Sequence, residues 1–554
     1  MKFSTKTLTQ IITQLCKAYG IDHIVISAGS RNAPLTIGFT GDEKFNNFCI
    51  VDERCAAFFA LGMAQHLKRP VVLVCTSGSA LLNYYPAIAE AFYSDIPLVI
   101  ISADRPAHLI EIGDGQTVRQ ENVFVNHILY SANCIAGDDH KEHNENAVNK
   151  ALATALEHNG PVHINAPFEE PLYETTDALG IVAKKISLKI PSEEIIEDLA
   201  PFIDIWNLSS KKMILAGVFA PDSIEQKYID LLASNKSVIV LTETTSNLHH
   251  PNFFPAIDQL IDPLNTESLE NLRPNLLLTF GGMIVSKKIK AFLRTYSPKV
   301  HWHVDPKKAY DTFFKLKHHF RMEPNTFFKA FLPNTDYVES NYQMEWKVIR
   351  EYREQKHLEF EKKIRFSDFL VFSIIIKSLP KKIQLQLSNS TAIRYCQLFR
   401  LDPSLQVFCN RGTSGIDGST STAIGSACAS NLPTVFITGD LSFLYDSNAL
   451  WNNYMPKSFR IILINNGGGG IFRILPNAKN IDHFETFFET SHSYTAIHLC
   501  EMFGIEYLSA NNAQNLQTGL DKFYKASERP KLLEVFTPSE VNDLVLAEYF
   551  QYIK

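Results

Sequence analysis

Thr438-Gly439-Asp440-Leu441 and, further on, Ile464-Asn465-Asn466-Gly467-Gly468-Gly469-Gly470 decide how this chain is read. An apolar run at residues 433–437 leads into the first, and another at 460–464 leads into the second. Short β-rich runs that end in Gly, with helical sequence between them, predict adjacent parallel strands. Their C-terminal ends then lie side by side, where open α/β sheets take ligands. A carboxylate, an amide oxygen and a bare backbone carbonyl at those ends form a hard-oxygen site for Mg²⁺, with diphosphate oxygens completing it. Each piece alone equally describes a turn after a strand. The pair at this distance, followed by four glycines, points to a diphosphate site.

Composition narrows the class. The chain has 554 residues, enough for three or four domains. Hydrophobic residues at 45% and charged residues at 20% describe a soluble globular protein. A formal net charge of −6 argues against nonspecific nucleic-acid binding, which needs a basic face. No apolar run approaches the roughly 18 residues of a membrane span, and the start, Met1-Lys2-Phe3-Ser4-Thr5-Lys6, lacks the apolar core of a signal peptide. Nine dispersed cysteines without a CxxC pair predict reduced, buried thiols and a cytoplasmic protein.

The first segment alternates helix-like and strand-like sequence. Helical periodicity in Leu8, Ile11, Ile12 and Leu15 stops at Gly20, and strands are predicted at 23–27, 48–51, 71–75, 98–102 and 161–165. The last third repeats this plan: Phe366-Ser367-Asp368 opens an apolar helix, 383–387 is a strand, and Ser388-Asn389-Ser390 a loop. Both segments close with a strand led by proline, Pro161 and Pro530. Strands at 212–217, 237–242, 275–280 and 300–304 predict a third, smaller α/β unit between them. Residues 343–365, dense in Glu, Lys and Arg, predict a solvated connecting helix. The fold class is therefore α/β, with three doubly wound parallel-sheet domains at 1–178, 179–340 and 366–554 and a linker helix at 341–365.

Glu53 lies between a predicted strand and an apolar helix at 55–65. A carboxylate there is either a helix N-terminal charge favoured by the dipole or a partly desolvated group aimed into a site. The spacing of Gly439-Asp440 and Asn465-Asn466-Gly467 resembles the metal-diphosphate motif of thiamine-diphosphate enzymes, although that motif usually has Gly where Leu441 stands. Ile26-Ser27-Ala28-Gly29-Ser30-Arg31-Asn32-Ala33-Pro34-Leu35, Asp52-Glu53-Arg54, Thr76-Ser77-Gly78-Ser79-Ala80, Ser102-Ala103-Asp104-Arg105-Pro106 and Asn410-Arg411-Gly412-Thr413-Ser414-Gly415-Ile416-Asp417-Gly418 resemble one branch. That branch is the 2-succinyl-5-enolpyruvyl-6-hydroxy-3-cyclohexene-1-carboxylate synthase family of menaquinone biosynthesis, in which Leu stands at the Leu441 position. The resemblance is specific in both outer domains and weak in the middle one.

The resemblance implies pyrimidine-binding, middle and diphosphate-binding domains and a thiamine-diphosphate-dependent transferase. Such an enzyme decarboxylates 2-oxoglutarate and joins the remaining carbanion to isochorismate. Glu53 is then catalytic, bonding N1′ of the cofactor's aminopyrimidine. Asp440 and Asn466 bind Mg²⁺ (or Mn²⁺) through side chains and Gly468 through its carbonyl. Ile416 is the wedge that folds the cofactor, set in Ser414-Gly415-Ile416; Leu441, Ser442, Gly469 and Gly470 contact the cofactor, while Ile471, Phe472 and Leu475 cover the thiazolium or simply pack the core. Both substrates are dianions, and arginine's planar fork suits carboxylates. Arg31, Arg105, Arg394 and Arg411 are the expected cations, with Ser30, Gln116 and Ser390 as hydrogen-bonding groups. Lys287 and Lys288 either reach the substrate from the middle domain or form a solvated helix start. Two facing domains that share one cofactor imply a homodimer or homotetramer with sites at the subunit interface. His163 and His492 lack metal spacing and read as structural, and Gly281-Gly282 is not followed by a dinucleotide fingerprint. Competing readings are an acetolactate-synthase relative acting on less charged acceptors, and a non-catalytic cofactor-binding homologue.

Overall fold

Residues Thr434–Gly439 and Arg460–Asn465 are neighbouring parallel strands, with Gly439 in register with Ile464. The two chain ends that carry Asp440 and Asn466 thus emerge side by side, as their spacing predicts. The computed structural model describes residues 2–187, 197–475 and 477–554. The expected start of the middle domain runs through 188–196, outside the described residues.

The first unit contains β1 (Phe3–Ser4), β2 (His23–Ile26), β3 (Asn46–Cys49), β4 (Val71–Cys75), β5 (Leu98–Asp104), β6 (Tyr130–Asn133), β7 (Val162–Pro167) and β8 (Thr175–Thr176). Its main sheet is parallel throughout, in the order β3-β2-β4-β5-β7-β6, and β1 pairs antiparallel with β8. The middle unit contains β9 (Lys212–Ala216), β10 (Val238–Thr242), β11 (Leu276–Phe280), β12 (Val300–Val304) and β13 (Leu316–Phe320), parallel in the order β10-β9-β11-β12-β13. The last unit contains β14 (Gln384–Leu387), β15 (Gln406–Cys409), β16 (Thr434–Gly439), β17 (Arg460–Asn465), β18 (Glu506–Ala510) and β19 (Lys531–Phe536), in the order β15-β14-β16-β17-β19-β18. Strand for strand, this is the order of the first sheet. The duplicated plan is real, and β4 and β16 occupy equivalent places.

The two outer units share a core. The helix Glu53–Leu67, apolar from Cys55 to Ala64, packs on the helix Ser419–Ala429, and one hydrophobic cluster runs from Phe58, Phe59 and Leu61 through Ala423 and Ile424 to Phe436 and Phe443. The helices meet backbone to backbone. A Cβ on Gly62 would run into the Thr422 carbonyl oxygen, and one on Gly425 into that of Phe59. Carboxylates tie the edges of this contact. Asp446 accepts from Ser421 N (2.7 Å) and Oγ (2.9 Å), with Arg54 at 3.7 Å, and burial raises its pKa to about 7.

Two expectations need correction. The linker helix, Tyr342–Glu361, is not solvated all round: Tyr342, Trp346 and Phe360 are buried. Tyr342 Oη donates to Leu272 O (2.9 Å), and Arg353 Nη1 donates to Lys554 O (2.6 Å), so the charged face conceals an apolar stripe that joins the middle unit to the chain end. The cysteines are all free, but Cys49 is exposed at the end of an edge strand and Cys428 is partly exposed. Among the described residues no helix is long and apolar enough to cross a membrane.

Because a methyl group has no room at the helix contact, Gly425→Ala should cost about 1–3 kcal/mol of stability through overpacking. Denaturant unfolding would read this directly, and an unchanged midpoint would show that the helices part without cost.

Candidate active site

Asp440 opens the helix Asp440–Tyr445 directly after β16. Its Oδ2 accepts from Gly467 N (2.9 Å) and Gly468 N (3.0 Å), and its Oδ1 from Leu441 N (2.7 Å). One carboxylate therefore ties together the ends of β16 and β17. The glycines are needed for this: Gly467 has φ +78° and Gly468 φ +152°, and a Cβ on Gly468 would lie 2.7 Å from Glu489 O. Gly469 N donates to that same oxygen (2.6 Å), and the Gly468 carbonyl accepts from Gly470 N (3.0 Å). Asn466 Nδ2 donates to Asp368 Oδ2 (2.9 Å), which fixes the amide and leaves its oxygen with no protein donor among the described residues. A carboxylate, an oriented amide oxygen and a glycine turn open to an anion fit a hard divalent cation holding a diphosphate.

Beside this cradle, Ser442 Oγ donates to Ile416 O (3.0 Å). Ser414 has φ +61°, and Asn389 Nδ2 donates to Gly415 O (2.7 Å), so the loop bearing Ile416 is held from both sides. Ile471 and Phe472 are half-buried in a short turn, Gly470–Ile474, and Leu475 is 40% exposed, leaving apolar surface uncovered.

Glu53 begins its helix after the Asp52 cap, whose side chain accepts from Cys55 N. It is half-buried, and burial raises its carboxyl pKa, against its own backbone N–H and with help from Asp52. Among the described residues no hydrogen bond or ion pair joins Glu53 to Asp440 or Asn466. Glu53 thus belongs to the first unit, and Asp440 and Asn466 to the last.

The four expected arginines fall into two pairs. Arg31 follows β2 and is buried; it donates to Phe168 O (2.9 Å), pairs with Glu170 (3.1 Å), and is pushed down in pKa by burial and then by Arg105. Arg105 follows β5, donates to Gly115 O (3.2 Å) and faces Asp114 at 3.6 Å. In the last unit Arg411 donates to Asn389 Oδ1 (2.7 Å). Arg394, in the helix Thr391–Cys396, has no hydrogen-bond partner among the described residues; burial and then Arg411 lower its pKa. The Nε of all four is buried and unpartnered. Arg350 and Arg353 of the linker helix share that feature, but their forks close on backbone carbonyls. Ser30 and Gln116 are exposed near the first pair's loops, and Gln116, at φ +56°, has its backbone over Gly78. Ser390, at φ +69°, caps the helix of Arg394. Lys287 and Lys288 are exposed, and Lys288 pairs with Asp262.

Sequence reasoning missed several supporting carboxylates. Glu90 accepts from Gly412 N (2.7 Å), Thr413 N (2.6 Å) and Thr413 Oγ1 (2.9 Å), so the first unit holds the loop that carries Arg411. Its signal was a lone carboxylate in an apolar helix, Tyr85–Ser94. Asp368 read only as a helix opener; it is buried, accepts from Thr537 Oγ1 (2.6 Å), and has its pKa raised to about 6, mainly by burial. Glu489, paired with Arg473 (Nη2 to Oε2, 2.6 Å), closes the glycine turn. Of the two histidines, His163 is buried against Ser102 (2.7 Å) and held neutral, its pKa near 3. His492 instead lies 3.4 Å from Asp440 Oδ2, at the edge of the cradle.

Comparison with known proteins agrees with this geometry. Family models described as the N-terminal TPP binding domain of thiamine pyrophosphate enzymes, the middle domain of thiamine pyrophosphate, and the C-terminal TPP binding domain match residues 6–127, 199–387 and 390–535. A crystal structure of benzoylformate decarboxylase from Polynucleobacter necessarius shares the fold, with a TM-score of 0.72 at 15% identity over 97% of this chain and 99% of that one. The fold is that of a thiamine pyrophosphate enzyme. Three proteins named 2-succinyl-5-enolpyruvyl-6-hydroxy-3-cyclohexene-1-carboxylate synthase are similar along their whole length. The one from Flavobacterium johnsoniae is 56% identical (98% of each chain), that from Christiangramia forsetii 54% (100% of each), and that from Porphyromonas gingivalis 36% (100% of this chain, 98% of that one). The chain belongs to this synthase family.

If Asp368 orients Asn466, Asp368→Ala should lower the affinity for a divalent cation about 10- to 100-fold, as loss of an outer-shell partner does. Titrating Mg²⁺ against thiamine-diphosphate binding tests this; unaltered Mg²⁺ dependence would show that Asn466 needs no such support.

Proposed function

We propose that this enzyme decarboxylates 2-oxoglutarate and adds the remaining four-carbon unit to isochorismate, giving 2-succinyl-5-enolpyruvyl-6-hydroxy-3-cyclohexene-1-carboxylate and CO2 for menaquinone biosynthesis in the cytoplasm. The observation that carries the reading is the set of four arginines in two pairs, Arg31 buried and the other three half-buried, each with a buried, unpartnered Nε. Arg31 and Arg105 face Glu170 and Asp114, whereas Arg394 and Arg411 form no ion pair among the described residues, and dianionic substrates would bring carboxylates to such groups. A smaller, less charged acceptor, as in an acetolactate-synthase relative, would make less use of these cations. A homologue without catalysis would have no use for Glu53, Asp440 and Asn466 together.

In this reading Asp440, Asn466 and the Gly468 carbonyl hold Mg²⁺ or Mn²⁺, and the turn Gly468-Gly469-Gly470, with Leu441 and Ser442, receives the diphosphate. Ser414-Gly415-Ile416 supports the folded cofactor, and Ile471, Phe472 and Leu475 shield it from water. Bound thiamine diphosphate supplies the carbon nucleophile and electron sink that decarboxylation requires. Glu53, poised by burial, exchanges a proton at N1′ of the aminopyrimidine. Arg31, Arg105, Arg394 and Arg411, with Ser30, Gln116, Ser390, Lys287 and Lys288, bind and orient the substrate carboxylates and hydroxyls. Glu53 has no hydrogen bond or ion pair to Asp440 or Asn466 among the described residues, and in this reading the site is assembled from two subunits of a homodimer or a dimer of dimers, Glu53 of one facing Asp440 of the other.

Assaying CO2 release from 2-oxoglutarate with and without isochorismate tests the reaction. Stoichiometric CO2 and adduct are expected; release without adduct, or none, overturns it. Glu53→Gln should keep cofactor binding and lose several orders of magnitude in turnover, each tenfold being about 1.4 kcal/mol; near-normal turnover removes Glu53 from the proton step. Mixing Glu53→Gln and Asp440→Ala chains should regenerate activity in heterodimers. If subunits exchange and activity stays at the parental level, each chain holds its own complete site.

A further inference from the structure

The Glu53 carboxyl meets its own backbone N–H, and no other group among the described residues hydrogen-bonds or pairs with it. Its place is therefore set by the backbone on either side, and that backbone is gripped by the last unit. Before Glu53, Cys49 N donates to Tyr454 Oη (2.8 Å). Asp52 accepts from Asn448 Nδ2 at Oδ2 (2.8 Å), while its Oδ1 caps the helix by accepting from Cys55 N (3.2 Å). After Glu53, Arg54 Nη2 donates to Tyr445 O (2.8 Å), and the guanidinium lies 4.9 Å from the centre of the Tyr445 ring. Asp446 Oδ1 is 3.7 Å from Arg54 and 3.5 Å from Cys55 Sγ.

The far end of this grip is firm. The Asp446 side chain is fully buried and held by Ser421 N and Oγ, and that of Arg54 is 19% exposed. A pair so placed differs from a solvated surface pair, because losing one partner strands the other charge away from water. A plain reading is that Arg54 merely fastens two units together. They are already fastened by the close contact of the helices Glu53–Leu67 and Ser419–Ala429 and by their common apolar cluster. What Arg54 adds lies at the first turn, where Glu53 is the opening residue.

We infer, on the reading of Glu53 given above, that Arg54 is a positioning residue: clamped on Tyr445 and Asp446, with Asn448 holding Asp52 on the other side, it fixes the helix start from which the Glu53 carboxyl reaches the aminopyrimidine. Misplacing a reacting group by an ångström costs on the order of a hundredfold in rate. A loosened clamp therefore slows proton exchange and leaves substrate and diphosphate binding in place.

The test uses the full-length enzyme with thiamine diphosphate and Mg²⁺ and without substrate. The rate at which deuterium from solvent replaces the C2 hydrogen of the bound cofactor, read by acid quench and NMR, reports on Glu53 independently of turnover. Arg54→Met should slow this exchange about tenfold, with the calorimetric Kd for thiamine diphosphate within threefold of wild type. In turnover, kcat should fall and both KM values stay within threefold. Arg54→Lys, which keeps a charge beside Asp446, should exchange at least threefold faster than Arg54→Met. Added to Glu53→Gln, Arg54→Met should slow exchange no further, since nothing is left to position, whereas a mere fastener would add its own loss. Slowing of less than threefold in Arg54→Met, or additive losses in the double variant, overturns the inference. If Arg54→Met does not fold, Asn448→Ala, at an exposed site, decides: slowing of threefold or more upholds the clamp, and less overturns it. Wild-type exchange in Glu53→Gln sinks the reading of Glu53 and this inference with it; slow exchange there beside normal exchange in Arg54→Met sinks the inference alone.

Discussion

Backbone contact between the helices Glu53–Leu67 and Ser419–Ala429 is the constraint on which the rest of the molecule depends. Gly62 against Thr422, Gly425 against Phe59, and Gly418 against the Phe58 ring leave no space for a side chain. Packing this close turns two sheets of identical strand order into one body with a common apolar core. It also places chemistry at both helix starts. Glu53 is the first residue of one helix, and Ile416 lies just before the other. A shift along this contact would move Glu53 and Ile416 together. Carboxylates pin the same junction from each side, Asp446 through Ser421 and Glu90 through the Gly412-Thr413 backbone.

Around this rigid junction like charges gather. Arg105 lowers the pKa of Arg31, and Arg411 that of Arg394; Glu170 and Asp114 face the first pair, while the second forms no ion pair among the described residues. Such groupings weaken the unliganded fold and strengthen ligand binding, because an arriving carboxylate relieves repulsion as well as forming hydrogen bonds. The cradle works in the opposite sense. Its carboxylate, Asp440, accepts from three backbone N–H groups and has His492 3.4 Å away, which makes a buried anion tolerable.

Much of the site was legible because it lies in loops just past strand ends, where short motifs of Gly, Asp, Asn and Arg are read locally. Asp440, Asn466 and the glycines were singled out this way, and so were the four arginines. The supporting residues were not. Asp368 meets Asn466 across 98 positions of sequence, and Glu90 meets Gly412 across 322. Nothing local to either residue records its partner.

The central strands were evident as continuous apolar runs, since both faces of a parallel sheet are covered by helices. Besides the short pair β1 and β8, the strands that escaped, β6, β13, β15 and β18, are all sheet edges with sequences such as Leu-Lys-His-His-Phe and Glu-Tyr-Leu-Ser-Ala. An edge is half solvated, so its residues need not be apolar, and pairing with a neighbour distant in sequence makes it a strand. By itself the sequence determined the α/β class and the duplicated outer plan, and singled out the candidate residues at the strand ends, because these follow from local periodicity and from motifs contiguous in the chain. Only the tertiary structure decided which carboxylates hold the loops of Asn466 and Arg411, and that the two outer units share one core. Those outcomes depend on the docking of surfaces separated by hundreds of residues, and the energy of such contacts has no signature in either partner alone.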